Sequence, residues 1–211
     1  MGNCIGLERS RARAESVEVV VRLSPKGPSA GGKGAKSHAG DSFVDVLFFP
    51  DPAMPCKRFR LPESCTRKNC KQIHDQGSSL LSFLEYLNNT KHTMDICVFT
   101  ITCDEIADAV LAAHARGVKV RVITDDDQAN GRGSDIQKFI DAGIPVRDDN
   151  ARTYMHNKFC ILDDKFLLNG SFNWSRQAVL GNAENLVINR GGRILKRFRE
   201  QFEKLWKKYE R

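Results

Sequence analysis

Apolar and polar positions along residues 41–211 switch repeatedly between the period of a strand and the period of a helix. Strands are predicted at Phe43 to Phe49, Met94 to Thr102 and 118–122, and near 144–147, 155–162, 165–169 and 184–189. Helical spacing over 80–87, 106–113 and 136–140 predicts three helices between them. A long amphipathic helix closes the chain, with one apolar stripe formed by Leu195, Phe198, Phe202, Leu205 and Tyr209. Strands that alternate with helices predict an α/β sandwich with a parallel or mixed central sheet flanked by helices.

Residues 1–40 lack this pattern and are rich in Gly, Ser, Lys and Arg, so the sequence predicts a flexible N-terminal tail before a single domain at 41–211. The first residues resemble part of an acylation signal, in which Gly2 would carry myristate and Cys4 palmitate. Gly6 stands where that signal has Ser or Thr, which favours an unmodified tail.

The 211 residues are enough for one domain with a substantial core, and 41% hydrophobic and 28% charged residues are typical of a soluble globular protein. The formal net charge of +7 favours a polyanionic partner, either nucleic acid or an anionic membrane surface, although a solvated lysine-rich surface would give the same value. The apolar runs are far shorter than the roughly 20 residues of a membrane helix, so none is predicted.

Seven cysteines are present, an odd number that does not suit a complete disulfide framework. Cys56, Cys65, Cys70 and His74 follow one another with eight, four and three residues between them. Three thiolates and one imidazole complete the tetrahedral ligand set of structural zinc. The spacing therefore predicts a small zinc-binding lobe at about 56–74 that takes no part in the chemistry; a loop with incidental buried cysteines is the alternative.

A second chemical pattern is the pair His156 and Lys158, which lie two residues apart on a predicted strand and would project from the same face. An imidazole beside an ammonium suits a phosphate, because the lysine supplies charge and donors while the histidine can attack phosphorus or transfer a proton. Such a pair alone also occurs on ordinary surface strands. The residues that follow it are more specific: Asp163, Gly170, Ser171, Asn173 and Glu184.

The whole pattern, His-x-Lys-x4-Asp-x6-Gly-Ser-x-Asn followed by a carboxylate, resembles the signature of the phospholipase D superfamily. It is most similar to the single-motif branch, which contains the bacterial endonuclease Nuc and the animal mitochondrial phospholipase D (Zucchini) family. The stretch Asn169 to Ser175 and the cysteine cluster resemble the animal group, which carries a comparable zinc-binding insertion. The resemblance covers residues 43–211 and implies a phospholipase D-like sandwich.

The resemblance implies a phosphodiesterase without a catalytic metal, in which His156 is the nucleophile and forms a phosphohistidine. Lys158 and Asn173 would hold the phosphate oxygens in the transition state. Glu184 would orient and activate the imidazole.

Two further motif residues have less direct roles in this interpretation. Ser171 would assist from nearby. Asp163 is either a catalytic group or a carboxylate with local structural hydrogen bonds. The structural role is considered because the four-residue spacing after Lys158 carries Asp163 away from the reacting phosphorus.

This chemistry requires a second histidine to protonate the leaving oxygen, and the chain contains one His-x-Lys pair. A homodimer with two His156 side chains at a two-fold axis is therefore expected. The segments Asp125 to Gly133 and Arg147 to Arg152 are predicted to frame the entrance of the shared cleft.

Three functions fit these residues. The first is an endoribonuclease for single-stranded RNA that acts in piRNA production, as the resemblance implies. The second is a phospholipase for cardiolipin or another anionic phospholipid. The third, a non-catalytic RNA-binding or membrane scaffold, ranks last because every motif residue is intact.

The resemblance also implies a location at the mitochondrial outer membrane. Members of this branch usually begin with a transmembrane helix, and none is predicted here. Association with a membrane surface therefore stays open.

Overall fold

The computed structural model describes residues 42–56, 65, 69–72 and 77–211. The predicted tail at 1–40, with Gly2 and Cys4, lies outside the described residues. So do His74 and most of the segment between Cys56 and Cys70.

Strands and helices follow one another along the described chain. The strands are β1 (Phe43–Phe49), β2 (Thr93–Val98), β3 (Ile101–Thr102), β4 (Lys119–Thr124), β5 (Val146–Asp148), β6 (Lys158–Leu162), β7 (Phe166–Gly170), β8 (Trp174–Ser175) and β9 (Glu184–Arg190). The helices are α1 (Ser79–Asn89), α2 (Asp104–Ala115), α3 (Asp126–Ala129), α4 (Ile136–Asp141), α5 (Arg176–Leu180) and α6 (Gly192–Lys208). No helix among the described residues is both long and apolar enough to cross a membrane.

Seven strands form one mixed sheet in the order β1-β9-β7-β6-β2-β4-β5. Strands β2, β4 and β5 run parallel to one another, whereas β6, β7, β9 and β1 each pair antiparallel with their neighbours. The short strands β3 and β8 pair separately in parallel. The mixed α/β architecture predicted from the sequence is therefore confirmed.

Buried side chains alternate between the two faces of the sheet, as the period of a strand requires. Ile96 and Cys160 pack in a core with α1, α2, α4 and α5. Cys97 and Phe159 point to the other face, in a core with α6. The stripe predicted on α6 supplies the buried side chains of Phe202 and Leu195 to that second core. Burying each such side chain contributes about 1.5–3 kcal/mol, which holds the helix against the sheet.

The predicted strand over 94–102 is interrupted, because the chain changes partners after Val98. The N–H of Phe99 donates to the carbonyl oxygen of Asn157 at 2.9 Å, and the carbonyl oxygen of Thr100 accepts from the N–H of Trp174 at 3.0 Å. Ile101 and Thr102 then pair with β8 rather than with the main sheet. Phe99 is thereby left at the end of the sheet.

Both edges of the main sheet depart from regular pairing. On the β1 side the register with β9 shifts between Phe43 and Asp45. On the other side β5 spans only three residues.

Candidate active site

The predicted site residues converge at one end of the main sheet. Val98, the last residue of β2, pairs with Lys158, the first of β6. Phe49, the last residue of β1, pairs with Glu184, the first of β9. Strand β7 ends at Gly170, so Ser171 follows at the same end. Strands β4 and β5 also end there, so this end gathers the carboxyl ends of the parallel strands, where α/β proteins bind ligands.

His156 and Lys158 lie around one aromatic ring, that of Phe99. The imidazole centroid is 4.7 Å from the Phe99 centroid, and the Lys158 Nζ atom lies 5.0 Å from it. Nζ also donates to the carbonyl oxygen of His156 at 3.0 Å. Partial burial lowers the pKa of Lys158, an effect that the Glu184 carboxylate opposes. The predicted strand at 155–162 begins only at Lys158, so His156 lies just before it. Both side chains nevertheless reach the ring of Phe99.

The backbone before His156 is held by a buried acid that sequence reasoning missed. Asp125, only 1% exposed, accepts the N–H of Met155 at 3.2 Å through Oδ2. Through Oδ1 it accepts the N–H of Gln128 at 3.2 Å and so caps α3. The signal in the sequence was an aspartate directly after a buried strand, at a helix N-cap position.

The carboxylate of Glu184 is fixed at both oxygens. Ser171 donates its hydroxyl to Oε2, and Asn182 donates Nδ2 to Oε1 at 3.0 Å. The N–H of Asn185 donates to the Ser171 hydroxyl oxygen at 3.1 Å. Within the part of the chain that the structure describes, these contacts hold Glu184, and no hydrogen bond joins it to the His156 ring.

Asn182 is itself anchored to helix α5. Its Oδ1 accepts from the Nε2 of Gln177 at 3.2 Å, and its backbone N–H donates to the carbonyl oxygen of Gln177 at 3.1 Å. Two amides that the motif does not contain therefore support the motif carboxylate.

Asn173 stands between two anchored aromatic residues. Phe172 stacks on Phe49 at 4.1 Å between ring centroids, and Trp174 packs against Phe83 at 5.3 Å. The Oδ1 atom of Asn173 is buried without a hydrogen-bond partner among the described residues. Its backbone is thus fixed, while its side-chain oxygen has a capacity for hydrogen bonding that the described residues do not use.

Asp163 lies at the opposite end of β6 from Lys158, in the turn before β7. Its carboxylate accepts hydrogen bonds of 2.6–3.1 Å from the backbone N–H groups of Lys91, His92 and Thr93. Burial alone would raise the pKa of Asp163, but these hydrogen bonds outweigh it, and the pKa is lowered. The geometry supports the structural interpretation of this residue, since the structure brings the other motif residues toward the opposite end.

Two groups of side chains have the composition of metal ligands. The Sγ atoms of Cys56, Cys65 and Cys70 all lie within 4.8 Å of one another. Carboxylate oxygens of the consecutive residues 125–127 form a second group within the same limit. The Asp125 carboxylate already accepts two backbone hydrogen bonds, so this second group has a structural explanation.

Residues 83–206 match the family model described as "Cardiolipin synthase, PLD-like domain", and this match covers more than half of the chain. The chain belongs to the phospholipase D superfamily. A mitochondrial cardiolipin hydrolase of Chlamydomonas reinhardtii is 48% identical over 190 residues, which cover 89% of this chain and 85% of that protein. The human protein of the same name is 36% identical over 78% of this chain and 68% of its own length.

A solved structure supports the same assignment. Nuc of Salmonella typhimurium, a phospholipase D family member, has a TM-score of 0.59 and 28% identity over 64% of this chain and 90% of its own. This phospholipase D family member is a phosphodiesterase hydrolase.

Proposed function

We propose that this phospholipase D family member cleaves phosphodiesters through a phosphohistidine on His156, without a catalytic metal. The observation that carries the proposal is the placement of the His156 imidazole and the Lys158 ammonium around one ring, at the sheet end that also holds Ser171 and Glu184. The cation and the amide of Asn173 would bind the phosphate oxygens as charge develops on them.

The proposed reaction has two steps. A ring nitrogen of His156 attacks phosphorus, the bond to the leaving oxygen breaks, and an acid protonates that oxygen. Water then attacks the phosphohistidine, loses its proton to the same group, and releases the phosphate and the free imidazole. Because the nucleophile cannot protonate the group that leaves on the opposite side, we assign the acid to His156 of the partner subunit, in a homodimer with a two-fold axis.

We propose single-stranded RNA as the preferred substrate, cut to leave a 5′-phosphate; piRNA precursors are the RNA that the resemblance implies. The support is the chemistry of the surface before His156. Asn150, Arg152 and Thr153 are all exposed there, and the chain carries a formal charge of +7. A polar, cationic approach suits a flexible polyanion.

Cardiolipin is the second candidate substrate, and the observation that favours it is the name that the relatives carry. The same histidine chemistry serves a phospholipid ester. A mitochondrial location is supported by those names and would suit either substrate; the outer surface is the location that the resemblance implies.

The test is a parallel assay of the full chain with single-stranded RNA, single-stranded DNA and cardiolipin liposomes, with and without EDTA in short incubations. We expect RNA cleavage that EDTA does not abolish and that His156→Asn eliminates. Lys158→Ala and Asn173→Ala should each lower the cleavage activity on the order of a hundredfold or more, as expected when a hydrogen-bond donor to the transition state is removed. His92→Asn, an exposed histidine outside the site, is the matched control and should stay active. Near-normal cleavage by His156→Asn would refute the mechanism, and cleavage of cardiolipin alone would refute the RNA assignment.

We also propose that Cys56, Cys65 and Cys70 hold a structural zinc together with His74. Ligand sulfurs about 2.3 Å from a tetrahedral zinc lie roughly 3.8 Å apart, which three Sγ atoms within 4.8 Å of one another can satisfy with a small adjustment. The ion would fold the lobe at 56–74 and would take no part in the reaction. Six basic residues between Cys56 and His74 would make that lobe a contact for a polyanion: Lys57, Arg58, Arg60, Arg67, Lys68 and Lys71.

A further inference from the structure

The side chain of Tyr154 is 65% exposed, although it belongs to the aromatic group around the candidate site. Its ring meets Phe99 edge to face, with 5.6 Å between centroids and 74° between planes. His156 contacts the same Phe99 ring at 4.7 Å. Tyr154 thus lies one ring away from the proposed nucleophile.

The alternation of exposed and buried side chains explains how Tyr154 reaches this position. Met155 and Phe159 are buried, whereas Tyr154 and His156 are exposed and Lys158 is half-buried. Tyr154, His156 and Lys158 therefore project to one side, two residues apart. Phe99 touches all three, so the tyrosine ring is held against the site while most of its surface stays open.

We propose that Tyr154 is a stacking platform for a nucleobase adjacent to the scissile phosphate. The inference rests on the proposed cleavage of RNA and names the contact that would hold the strand. Aromatic side chains beside a cationic phosphate site are the usual means of binding single strands, because every base offers a π face. Tyrosine suits this role, since its rigid ring loses little conformational freedom on binding.

The surroundings of Tyr154 favour a base over a lipid chain. The preceding exposed residues are Asn150, Ala151, Arg152 and Thr153, which together present amide, cationic and hydroxyl groups. A loop that enters a membrane presents several large apolar side chains, and this segment has one aromatic residue. Arg152, two residues before the ring, is suited to a neighbouring phosphate of the same strand.

A double-mutant cycle between protein and substrate tests the contact. The full chain cleaves a single-stranded RNA oligonucleotide with one cut site, either intact or with one abasic nucleotide on each side of that site in turn. We expect Tyr154→Ala to raise KM for intact RNA about 5- to 150-fold, the range for one stacked base, and Tyr154→Phe to retain near-normal KM. With the abasic nucleotide at one of the two positions, Tyr154→Ala should no longer raise KM, because the base that would stack on Tyr154 is absent. Phe43→Ala, 52% exposed at the opposite end of the sheet, is the matched control and should leave KM unchanged.

Each other outcome contradicts the platform. An unchanged KM in Tyr154→Ala would refute the stacking platform. So would a KM that Tyr154→Ala raises by the same factor on intact RNA and on every abasic RNA. Both results would leave the proposed RNA cleavage in place. Conversion of Tyr154→Ala to a monomer would assign the ring to the subunit interface instead. A loss confined to cardiolipin hydrolysis would assign it to lipid.

A wild-type chain that fails to cleave RNA would refute the proposed function separately. The platform would then be judged by fluorescence anisotropy with the same oligonucleotide and inactive chains. Equal Kd values for the His156→Asn variant and for the double variant His156→Asn, Tyr154→Ala would refute the platform. A Kd that is about 5- to 150-fold higher in the double variant, for intact RNA only, would support the platform.

Discussion

The ring of Phe99 lies 4.7 Å from the imidazole of His156, with the two planes tilted by 57°. The same ring lies below the ammonium of Lys158, at 5.0 Å from Nζ. One residue that is outside the sequence motif therefore fixes the position of both motif side chains that would meet the phosphate.

Replacing Phe99 should consequently reduce turnover more than stability. We expect Phe99→Ala to lower kcat about 10- to 100-fold, because small displacements of reacting groups are costly and the ring holds two of them. Phe99→Tyr keeps the ring and should retain most activity. Steady-state kinetics and thermal unfolding of both variants test this; a Phe99→Ala protein with full kcat would show that His156 is positioned by other contacts.

Asn182 should act as a positioning residue for Glu184. Asn182→Ala removes the 3.0 Å hydrogen bond to Oε1, and we expect kcat to fall about 5- to 50-fold with little change in KM or Tm. When Asn182→Ala is combined with Glu184→Gln, the two reductions in kcat should not multiply, because both substitutions act through the Glu184 carboxylate. Gln137→Ala, which loses a surface hydrogen bond of 2.8 Å to the carboxylate of Asp141, is the control. Independent losses in the combined variant would contradict this role.

Asp163 should stabilise the fold in a pH-dependent way. Its pKa is lowered from the ordinary value of 3.8, so its ionised form favours the folded state. That contribution is complete above the unfolded pKa and is lost as the pH falls through the lower folded value. We expect Asp163→Asn to lower the free energy of unfolding by about 1–3 kcal/mol between pH 5 and 8, and this difference should shrink below about pH 4. Asparagine suits the test because it tolerates the positive φ of 54° at this position.

The neighbouring acid supplies the control for this measurement. Asp164 also has a positive φ, of 52°, but it is exposed and pairs on the surface with Arg199. Asp164→Asn should lower the free energy of unfolding by less than about 1 kcal/mol, as is usual when a surface ion pair is removed. Equal effects of the two substitutions in urea titrations would mean that the hydrogen bonds of Asp163 contribute no special stability.

The zinc proposal predicts a metal content of about one ion per chain. Cys65→Ser and Cys70→Ser should each reduce it, as measured by atomic emission on the purified protein. Cys97→Ala is the matched control, because that thiol is buried in strand β2 and should leave the zinc content unchanged. Wild-type protein without zinc would remove this site.

The shared-site dimer predicts dominant inactivation. When wild type is mixed with an excess of His156→Asn and allowed to exchange subunits, heterodimers should form with one intact histidine each. Activity should then fall below the value given by simple dilution. Mixing with Phe43→Ala instead should cause no such fall. A wild-type monomer that is fully active in sedimentation and kinetic measurements would contradict this arrangement.

Local pattern was enough to predict most of the elements and the motif. His156, Lys158, Ser171 and Glu184 lie within 29 consecutive residues on strands that are neighbours in the sheet, so their spacing in sequence reflects their spacing in space. The strand over 94–102 was predicted without its break, because the partner that draws away Ile101 lies some 70 residues later in β8.

The supporting residues were missed for the same physical reason. Phe99 and Asp125 come from the ends of strands β2 and β4, and their contacts with residues 154–158 depend on the order of strands in the sheet. Nothing in their local sequence encodes that order. Asn182 is close in sequence to Glu184, but the hydrogen bond between them depends on the short helix α5, which the sequence pattern did not predict.

The irregular edges of the main sheet have a consequence for assembly. A regular edge strand offers unpaired backbone groups to any other strand, and repeated addition of that kind leads to open-ended aggregates. Here the register shift and the charge of Asp45 interrupt one edge, and the other is only three residues long. Lateral growth of the sheet is thus discouraged on both sides. Contact between copies through the end of the sheet that bears His156 would close on itself after two chains, which gives an assembly of finite size.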